Sequence, residues 1–240
     1  MFRRTADASR RADDGQATAH PLVLYGDGLS GRGTPTGDQR VRLAEGGCLA
    51  LPLHRYLGPA DETVRRMLSG LRGPVLDVGC GPGRHLHALA ARGVFALGVD
   101  LSPVAVGLAR DGGARAIVGS IFGEVPGAGS WRSALLLDGN IGIGGMPDRL
   151  LGRIAALLRD DSELLVELAP PATPTSRTRA RIETDRAVSG WFGWATVSAA
   201  DIREIASTAG FGTARLWESD GRWFALLVPS ATRARPVRSD

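Results

Sequence analysis

Lysine is absent from this 240-residue chain, in which all 29 lysine-or-arginine positions are arginine. Without a lysine amine, the protein cannot form a Schiff base with pyridoxal phosphate or with a carbonyl substrate. It also cannot build a phosphate-binding loop of the GK[ST] type, because that loop uses the same amine. The composition therefore excludes two broad classes of enzyme.

Cysteine and histidine are scarce as well, with two cysteines and four histidines in the chain. Cys48 and Cys80 are too few for a disulfide framework, and the histidine spacing matches no zinc motif, so we expect no metal site. Arg3-Arg4 opens like an export signal, but no apolar stretch follows it and no segment is long enough to span a membrane. We expect a cytoplasmic protein without a membrane partner.

The net charge of +4 lies mainly at the chain ends. Residues 1–20 hold four arginines and three aspartates, and residues 229–240 hold three arginines and one aspartate, so the body carries only +1. Such ends are typical of solvated, disordered termini, and they are also compatible with a polyanionic partner.

Apolar runs alternate with helical patterns along most of the chain. The expected strands are 75–78, 94–99, 114–118, 134–137 and 164–168, and the expected helices are 86–90, 103–110 and 150–158. Continuous apolar runs indicate parallel strands that are covered on both faces. A helix over 198–209, with Ser198 as its N-cap, and a final hairpin over 213–228 complete the pattern.

The domain organisation follows from this pattern. Residues 1–37 are predicted to be disordered or loop-rich, and residues 38–70 to form a hairpin and a helix that cap the main domain. Residues 71–229 form that domain, residues 170–190 are an insertion or lid within it, and residues 230–240 are a basic tail.

The strongest motif is V-L-D-V-G-C-G-P-G-R at residues 75–84, between an expected strand and an expected helix. Its glycines allow the backbone to approach a ligand closely. Asp100 ends the next strand, where a carboxylate can bind both hydroxyls of a ribose. The G-x-G-x-G spacing differs from the G-x-G-x-x-G of dinucleotide-binding proteins, which argues against a nicotinamide enzyme.

D-V-G-C-G-P-G-R followed by G-V-D-L-S-P closely resembles the class I S-adenosylmethionine-dependent methyltransferases, over about residues 59–228. The resemblance implies an α/β, Rossmann-like fold: a seven-stranded, mostly parallel sheet with helices on both faces and a C-terminal antiparallel hairpin. It also implies S-adenosyl-L-methionine as the cofactor.

The resemblance assigns most of the cofactor site. The residues that would contact the cofactor are Asp77, Gly79, Cys80, Gly81 and Gly83 at the methionine part, Asp100 at the ribose, Leu101, Ser120 and Ile121 at the adenine, and Asp138 with Gly139 at the sheet edge. Ser120 stands where the family usually has an aspartate. Asn140 would face the substrate. The D-G-N-I run that contains it differs from [DNS]-P-P-[YF], which argues against methylation of DNA amino groups.

Several candidates have two interpretations each. Cys80 could act as a nucleophile, but a small space-filling residue is the preferred interpretation. Arg84 binds the cofactor's carboxylate or faces solvent. His85 and His87 are interpreted as solvated helix residues, and His54, near Tyr56, is either a catalytic base or a surface histidine.

Glu167 interrupts an apolar strand, where a bare carboxylate is costly. It either points into the site as a catalytic base or pairs with one of four arginines of the insertion, namely Arg177, Arg179, Arg181 and Arg186. Trp191 and Trp194, with Phe192 between them, form an apolar substrate wall or pack the core against the last helix, and core packing is the preferred interpretation.

The predicted function is therefore transfer of a methyl group from S-adenosylmethionine to a small organic acceptor. Methylation of RNA or protein is an alternative, motivated by the arginine-rich ends and insertion. A catalytically silent cofactor-binding protein is another, because Ser120 departs from the family pattern and no residue is an obvious base. The sequence predicts no oligomeric state.

Overall fold

A computed structural model describes residues 17–31 and 39–230. The predicted disorder of residues 1–16 and the predicted basic tail after residue 230 lie outside the described residues. No helix in the described ranges is long and apolar enough to cross a membrane.

The described chain folds into two sheets and their flanking helices. The strands are β1 (Ala17–Ala19), β2 (Arg40–Leu43), β3 (Cys48–Ala50), β4 (Val75–Val78), β5 (Ala96–Asp100), β6 (Ala116–Val118), β7 (Trp131–Leu136), β8 (Leu158–Leu168), β9 (Ser176–Glu183), β10 (Ala187–Ser189), β11 (Phe192–Thr196), β12 (Phe211–Ser219) and β13 (Arg222–Pro229). The helices are α1 (Pro21–Leu29), α2 (Leu53–Leu57), α3 (Glu62–Ser69), α4 (Arg84–Ala90), α5 (Pro103–Asp111), α6 (Pro147–Leu157) and α7 (Ile202–Thr208), with a 3-10 helix at Asn140–Gly145.

The main sheet has seven strands in the order β12-β13-β8-β7-β4-β5-β6. Strands β4 to β8 run parallel, while β13 pairs antiparallel with both β8 and β12. Alternate residues of β4 enter different clusters, since Leu76 and Val78 pack in one and Val75 in the other. The sheet is thus buried on both faces, and the predicted fold class is confirmed.

The second sheet was not predicted. It has six strands in the order β1-β10-β9-β2-β3, with β11 also paired to β9. Residues 170–190, expected as an insertion or lid, contribute β9 and β10, and the predicted hairpin of β2 and β3 extends the same sheet. Arginines occupy every second position of β9, which is the spacing of one face of a strand. Because charged residues are typical of exposed segments, the sequence did not indicate that the other, apolar face belongs to a sheet.

Two local predictions are corrected by the structure. Residues 21–29, expected as loop, form α1, where His20 caps the helix by accepting the N–H of Leu22. Ser198 is not the N-cap of α7, which begins after Asp201. The Ser198 hydroxyl instead accepts the N–H of Ala200 and bonds to the carbonyl of Pro171.

Candidate active site

A cavity of about 1300 Å³ lies between the two sheets, at the carboxyl ends of the parallel strands. The glycine loop after β4 and the ends of β5, β7 and β8 form its floor, and the second sheet forms the opposite wall. Ligands of parallel α/β sheets bind at this edge. The cavity is therefore the candidate active site.

The glycine loop depends on backbone conformations that favour glycine. Gly79, Gly81 and Gly83 have φ values of +72°, +53° and +87°. A Cβ at Gly79 would lie 2.6 Å from Nδ2 of Asn140, which donates to the carbonyls of Val78 at 2.8 Å and Gly79 at 2.9 Å. Asn140, predicted to face the substrate, thus uses its amide group to hold the loop, although it also lines the cavity.

Asp100 projects into the cavity at the end of β5. Its two carboxylate oxygens accept the N–H groups of Gly81 at 2.9 Å and Ser102 at 2.8 Å. A carboxylate has about four acceptor positions, so each oxygen can still accept a ribose hydroxyl. Burial, reinforced by the charge of Asp77, raises the pKa of Asp100 above its usual value even though both N–H groups lower it.

The predicted adenine contacts lie beside Asp100. Leu101 is 51% exposed at the border of the cavity, and Ile121, which is buried in the apolar core, also lines the cavity. The Ser120 hydroxyl accepts the N–H of Phe122 at 3.2 Å. These residues present an apolar surface with a hydroxyl at its edge, and their contact with an adenine stays a prediction.

Two buried charged groups, Arg84 in the lining of the floor and Asp77 on the adjoining strand β4, have unsatisfied polar atoms. Asp77 is fully buried, and neither of its carboxylate oxygens has a hydrogen-bond partner among the described residues. The Nη1 atom of Arg84 is likewise buried without an acceptor in the described part of the chain. Because buried polar atoms without hydrogen-bond partners are costly, this donor and this acceptor fit a zwitterionic ligand such as the methionine part of the cofactor.

Arg84 also binds Asp138, so its predicted solvent-facing alternative is wrong. Nη2 of Arg84 donates to the two carboxylate oxygens of Asp138 at 2.7 Å and 2.8 Å, and the Arg84 side chain is 3% exposed. Asp138 has a φ of +56°, which is rare for a residue other than glycine. Burial raises the pKa of Asp138, but His85 and Arg84 outweigh it and lower the pKa below its usual value.

Glu167 lines the cavity and pairs with an arginine that the sequence did not indicate. Its oxygens accept from Nε and Nη2 of Arg222 at 2.8 Å and 2.7 Å, and from the N–H of Asp138 at 2.7 Å. Pairing with the insertion is wrong for the described contacts, because Arg177 binds Asp148 and Arg181 binds Glu183. The expected buried pair exists, but its partner comes from β13.

The structure supports the surface interpretation of His54 and contradicts the solvated interpretation of His85. The structure does not bring His54 into the cavity, because its side chain lies on the exposed side of α2. His85, interpreted as solvated, is 4% exposed. Its Nδ1 lies 3.4 Å from Asp77 and its Nε2 lies 3.6 Å from Asp138. His87 is half-buried.

Tyr25 and Tyr56 border the cavity near Asp100 and Asp138. Burial is the main reason that the pKa of Tyr25 is well above its usual value and that the pKa of Tyr56 rises to about 12, so both phenols are neutral at physiological pH. Sequence reasoning missed Tyr25, because α1 lies in a glycine-containing segment that was expected to be loop.

The remaining predicted residues have the following surroundings. Trp194 on β11 and Trp191 just before it line the cavity, and neither is buried against α7, so the core-packing interpretation is wrong. Cys80 fills the space above Gly98, and burial raises the pKa of its thiol, which supports the space-filling interpretation. No group of three potential metal ligands occurs within residues 17–31 and 39–230.

Comparisons with known proteins agree with this geometry. Residues 75–124 match the family model described as a methyltransferase domain. A SAM-dependent methyltransferase from Bacteroides fragilis, in complex with S-adenosyl-L-homocysteine, is 19% identical with a TM-score of 0.73, over 90% of this chain and 98% of that one.

Two further solved structures share the fold. The 1,6-didemethyltoxoflavin-N1-methyltransferase of Burkholderia thailandensis is 19% identical, with a TM-score of 0.52 over 70% of this chain and 77% of that one. The magnesium protoporphyrin IX methyltransferase of Synechocystis is 20% identical, with a TM-score of 0.53 over 74% and 89%.

The chain thus has the α/β fold of the S-adenosylmethionine-dependent methyltransferases, with a glycine loop at the carboxyl end of β4. The predicted resemblance is confirmed: residues 75–124 match a methyltransferase domain, and the described chain has the class I methyltransferase fold.

Proposed function

We propose that this protein transfers a methyl group from S-adenosylmethionine to a small organic acceptor. The observation that carries the proposal is the position of the second sheet, which covers the space opposite the glycine loop. A concave, largely apolar site with a few convergent polar groups is typical of small-molecule binding.

The residues of the floor fit the cofactor. Asp77 would accept from the ammonium group of its methionine part, and Nη1 of Arg84 would donate to the carboxylate. Asp100 would accept from the ribose hydroxyls, while Leu101 and Ile121 would pack on the adenine. The bound cofactor supplies an electrophilic methyl group on a sulfonium.

The protein's own contribution is alignment and the exclusion of water. Asp138 is held between Arg84 and the strand β8, so the boundary between the cofactor and acceptor halves is rigid. Phe192 and Trp194 cover the acceptor half with aromatic surface. Holding two reactants in line for attack supplies much of the rate of such a transfer.

Two of the similar structures are enzymes named after small-molecule acceptors, which supports a small acceptor for this protein. One acts on 1,6-didemethyltoxoflavin and the other on magnesium protoporphyrin IX. Both acceptors are ring systems of a size that a cavity of about 1300 Å³ can accommodate beside a nucleoside cofactor.

Calorimetry with S-adenosylmethionine and S-adenosylhomocysteine is the first test, followed by S-adenosylhomocysteine release with panels of small molecules, RNA and proteins. We expect cofactor binding and turnover with small molecules. Turnover with RNA that weakens steeply with salt would instead support the nucleic-acid alternative. Cofactor binding without turnover on any panel would support the silent protein.

A further inference from the structure

The wall that the second sheet contributes to the cavity has no aspartate, glutamate or arginine among the described lining residues. Val41, Leu43 and Ile182 form one face of the second sheet, and Phe192 and Trp194 continue that surface on β11. A charged group placed against this wall would lose its hydration without gaining a partner. The body of the acceptor is therefore apolar.

The floor opposite this wall carries an excess of negative charge. Its ionisable lining groups in the described chain, apart from histidine, tyrosine and cysteine, are Arg84, Asp100, Asp138 and Glu167. One arginine against three carboxylates gives a net charge of −2, which becomes −1 when His85 beside Asp138 carries a proton. An anionic acceptor is repelled by this floor, whereas the sulfonium of the bound cofactor is stabilised by it.

The carboxylates that border the cavity are already engaged. Both oxygens of Glu167 are bound by Arg222, both oxygens of Asp138 are bound by Arg84, and Asp100 accepts two backbone N–H groups. Arginines thus hold both oxygens of Glu167 and Asp138, and Asp100 is assigned to the ribose. An acceptor that must lose a proton before it attacks, such as an alcohol or a phenol, has no carboxylate left that is not already committed to one of these partners.

His85 does not supply the missing base. Its two ring nitrogens face Asp77 and Asp138, at 3.4 Å and 3.6 Å, and the side chain is buried below the Arg84–Asp138 pair. Tyr25 and Tyr56 are neutral phenols that can donate or accept a hydrogen bond at the cavity surface.

We propose that the methyl acceptor is an apolar amine that binds as its uncharged free base. This inference rests on the proposed function and specifies the acceptor of that same site. The nitrogen lone pair forms the new N–C bond while the S–C bond breaks, and the electron pair of that bond stays on sulfur. The products are S-adenosylhomocysteine and a methylated ammonium ion, whose surplus proton passes to water after release.

The positive charge of the reactants stays constant during the transfer and faces the negatively charged floor. One positive charge is present before the transfer, on sulfur, and one after it, on nitrogen. The negative floor therefore stabilises the cation throughout, without a change in its own protonation. Methylation of a carboxylate or phenolate would bring an anion beside Asp138 and Glu167.

The test uses the full chain, S-adenosylmethionine and three probes with the same ring: naphthylmethylamine, naphthol and naphthoic acid. We expect methylated naphthylmethylamine by mass spectrometry, with S-adenosylhomocysteine formed in equal amount. Methylation of naphthol or naphthoic acid in preference to the amine would overturn the inference. Failure to methylate any amine, with the cofactor bound in calorimetry, would also overturn it.

The pH profile provides an independent readout. The rate should rise with pH as the amine loses its proton, and the rising limb should move to lower pH when naphthylamine, a weaker base, replaces naphthylmethylamine. A limb that stays at one pH for both amines would show that a group of the protein takes the proton, and the inference would be wrong. A protein that binds no cofactor would instead refute the proposed function itself.

Discussion

The Glu167→Gln variant distinguishes a carboxylate that holds the site together from one that takes a proton. Arg222 donates to both oxygens of Glu167, and the N–H of Asp138 donates to Oε2 at 2.7 Å. A glutamine keeps one oxygen but turns an NH₂ donor toward these donors. At least one charge-assisted hydrogen bond is lost, which is worth ~1.5–3 kcal/mol.

The loss of stability should be smaller than the loss expected when a buried charge is left without any partner. Removing the partner of a buried ion typically costs ~3–5 kcal/mol. Here Arg222 keeps Asp61 at 3.1 Å, and the side chains of Glu167 and Arg222 remain 14% and 17% exposed. We therefore expect the free energy of unfolding to fall by ~2–3 kcal/mol.

Urea denaturation at constant m-value measures this change. Glu163→Gln is a matched control, because Glu163 lies on the same strand and accepts from the Ser133 hydroxyl at 3.1 Å, so its cost should be only ~0.5–1.5 kcal/mol. Unchanged stability with turnover reduced ~10²–10⁴-fold would refute our reasoning and make Glu167 a general base. No change in either quantity would mean that Glu167 is solvated.

Three further predictions concern the cofactor, the wall and acid stability. Asp100→Ala should weaken cofactor binding by ~1.5–3 kcal/mol in calorimetry, and the exposed Asp111→Ala should not; equal dissociation constants would place the ribose elsewhere. Gly142→Ala should lower the melting temperature, because a Cβ there collides with the Ala195 carbonyl of β11, whereas Gly152→Ala in open space on α6 should raise it. Burial raises the pKa of Glu183, but hydrogen bonds from Arg42 and Arg181 outweigh burial and lower the pKa below its usual value. Glu183 therefore stabilises the fold at pH values above its pKa in the unfolded chain, and this stability is lost as the pH falls through its pKa in the folded protein. Glu183→Gln should flatten that acid-side decline, and an unchanged slope in denaturation at several pH values would contradict it.

The main sheet and the cofactor loop could be predicted because their signals are local. The apolar run 75–78, the glycines at 79, 81 and 83, and the carboxylate at 100 lie within one strand–turn–helix–strand unit. Each residue's conformation there follows from its immediate neighbours in sequence. The parallel order of the strands then follows from the short helical connections between them.

The second sheet could not be predicted, because its strands pair across large separations in the chain. Arg42 on β2 faces Arg181 on β9, and Ala17 on β1 faces Ala187 on β10. Short strands of this kind are stabilised by partners that no local pattern identifies. This sheet forms one wall of the cavity, so the surroundings of that wall emerged only from the structure.

The ion-pair partners of the charged residues also depend partly on the sequence and partly on the tertiary structure. The sequence by itself determined that Glu167 lies in an apolar strand and needs a partner, since a bare carboxylate is too costly there. Only the tertiary structure decided that this partner is Arg222, because β13 runs antiparallel beside β8 and brings a residue 55 positions away into contact. The sequence thus determines which buried charged residues need an ion-pair partner, and the packing of strands that are distant in the chain decides which residue is that partner.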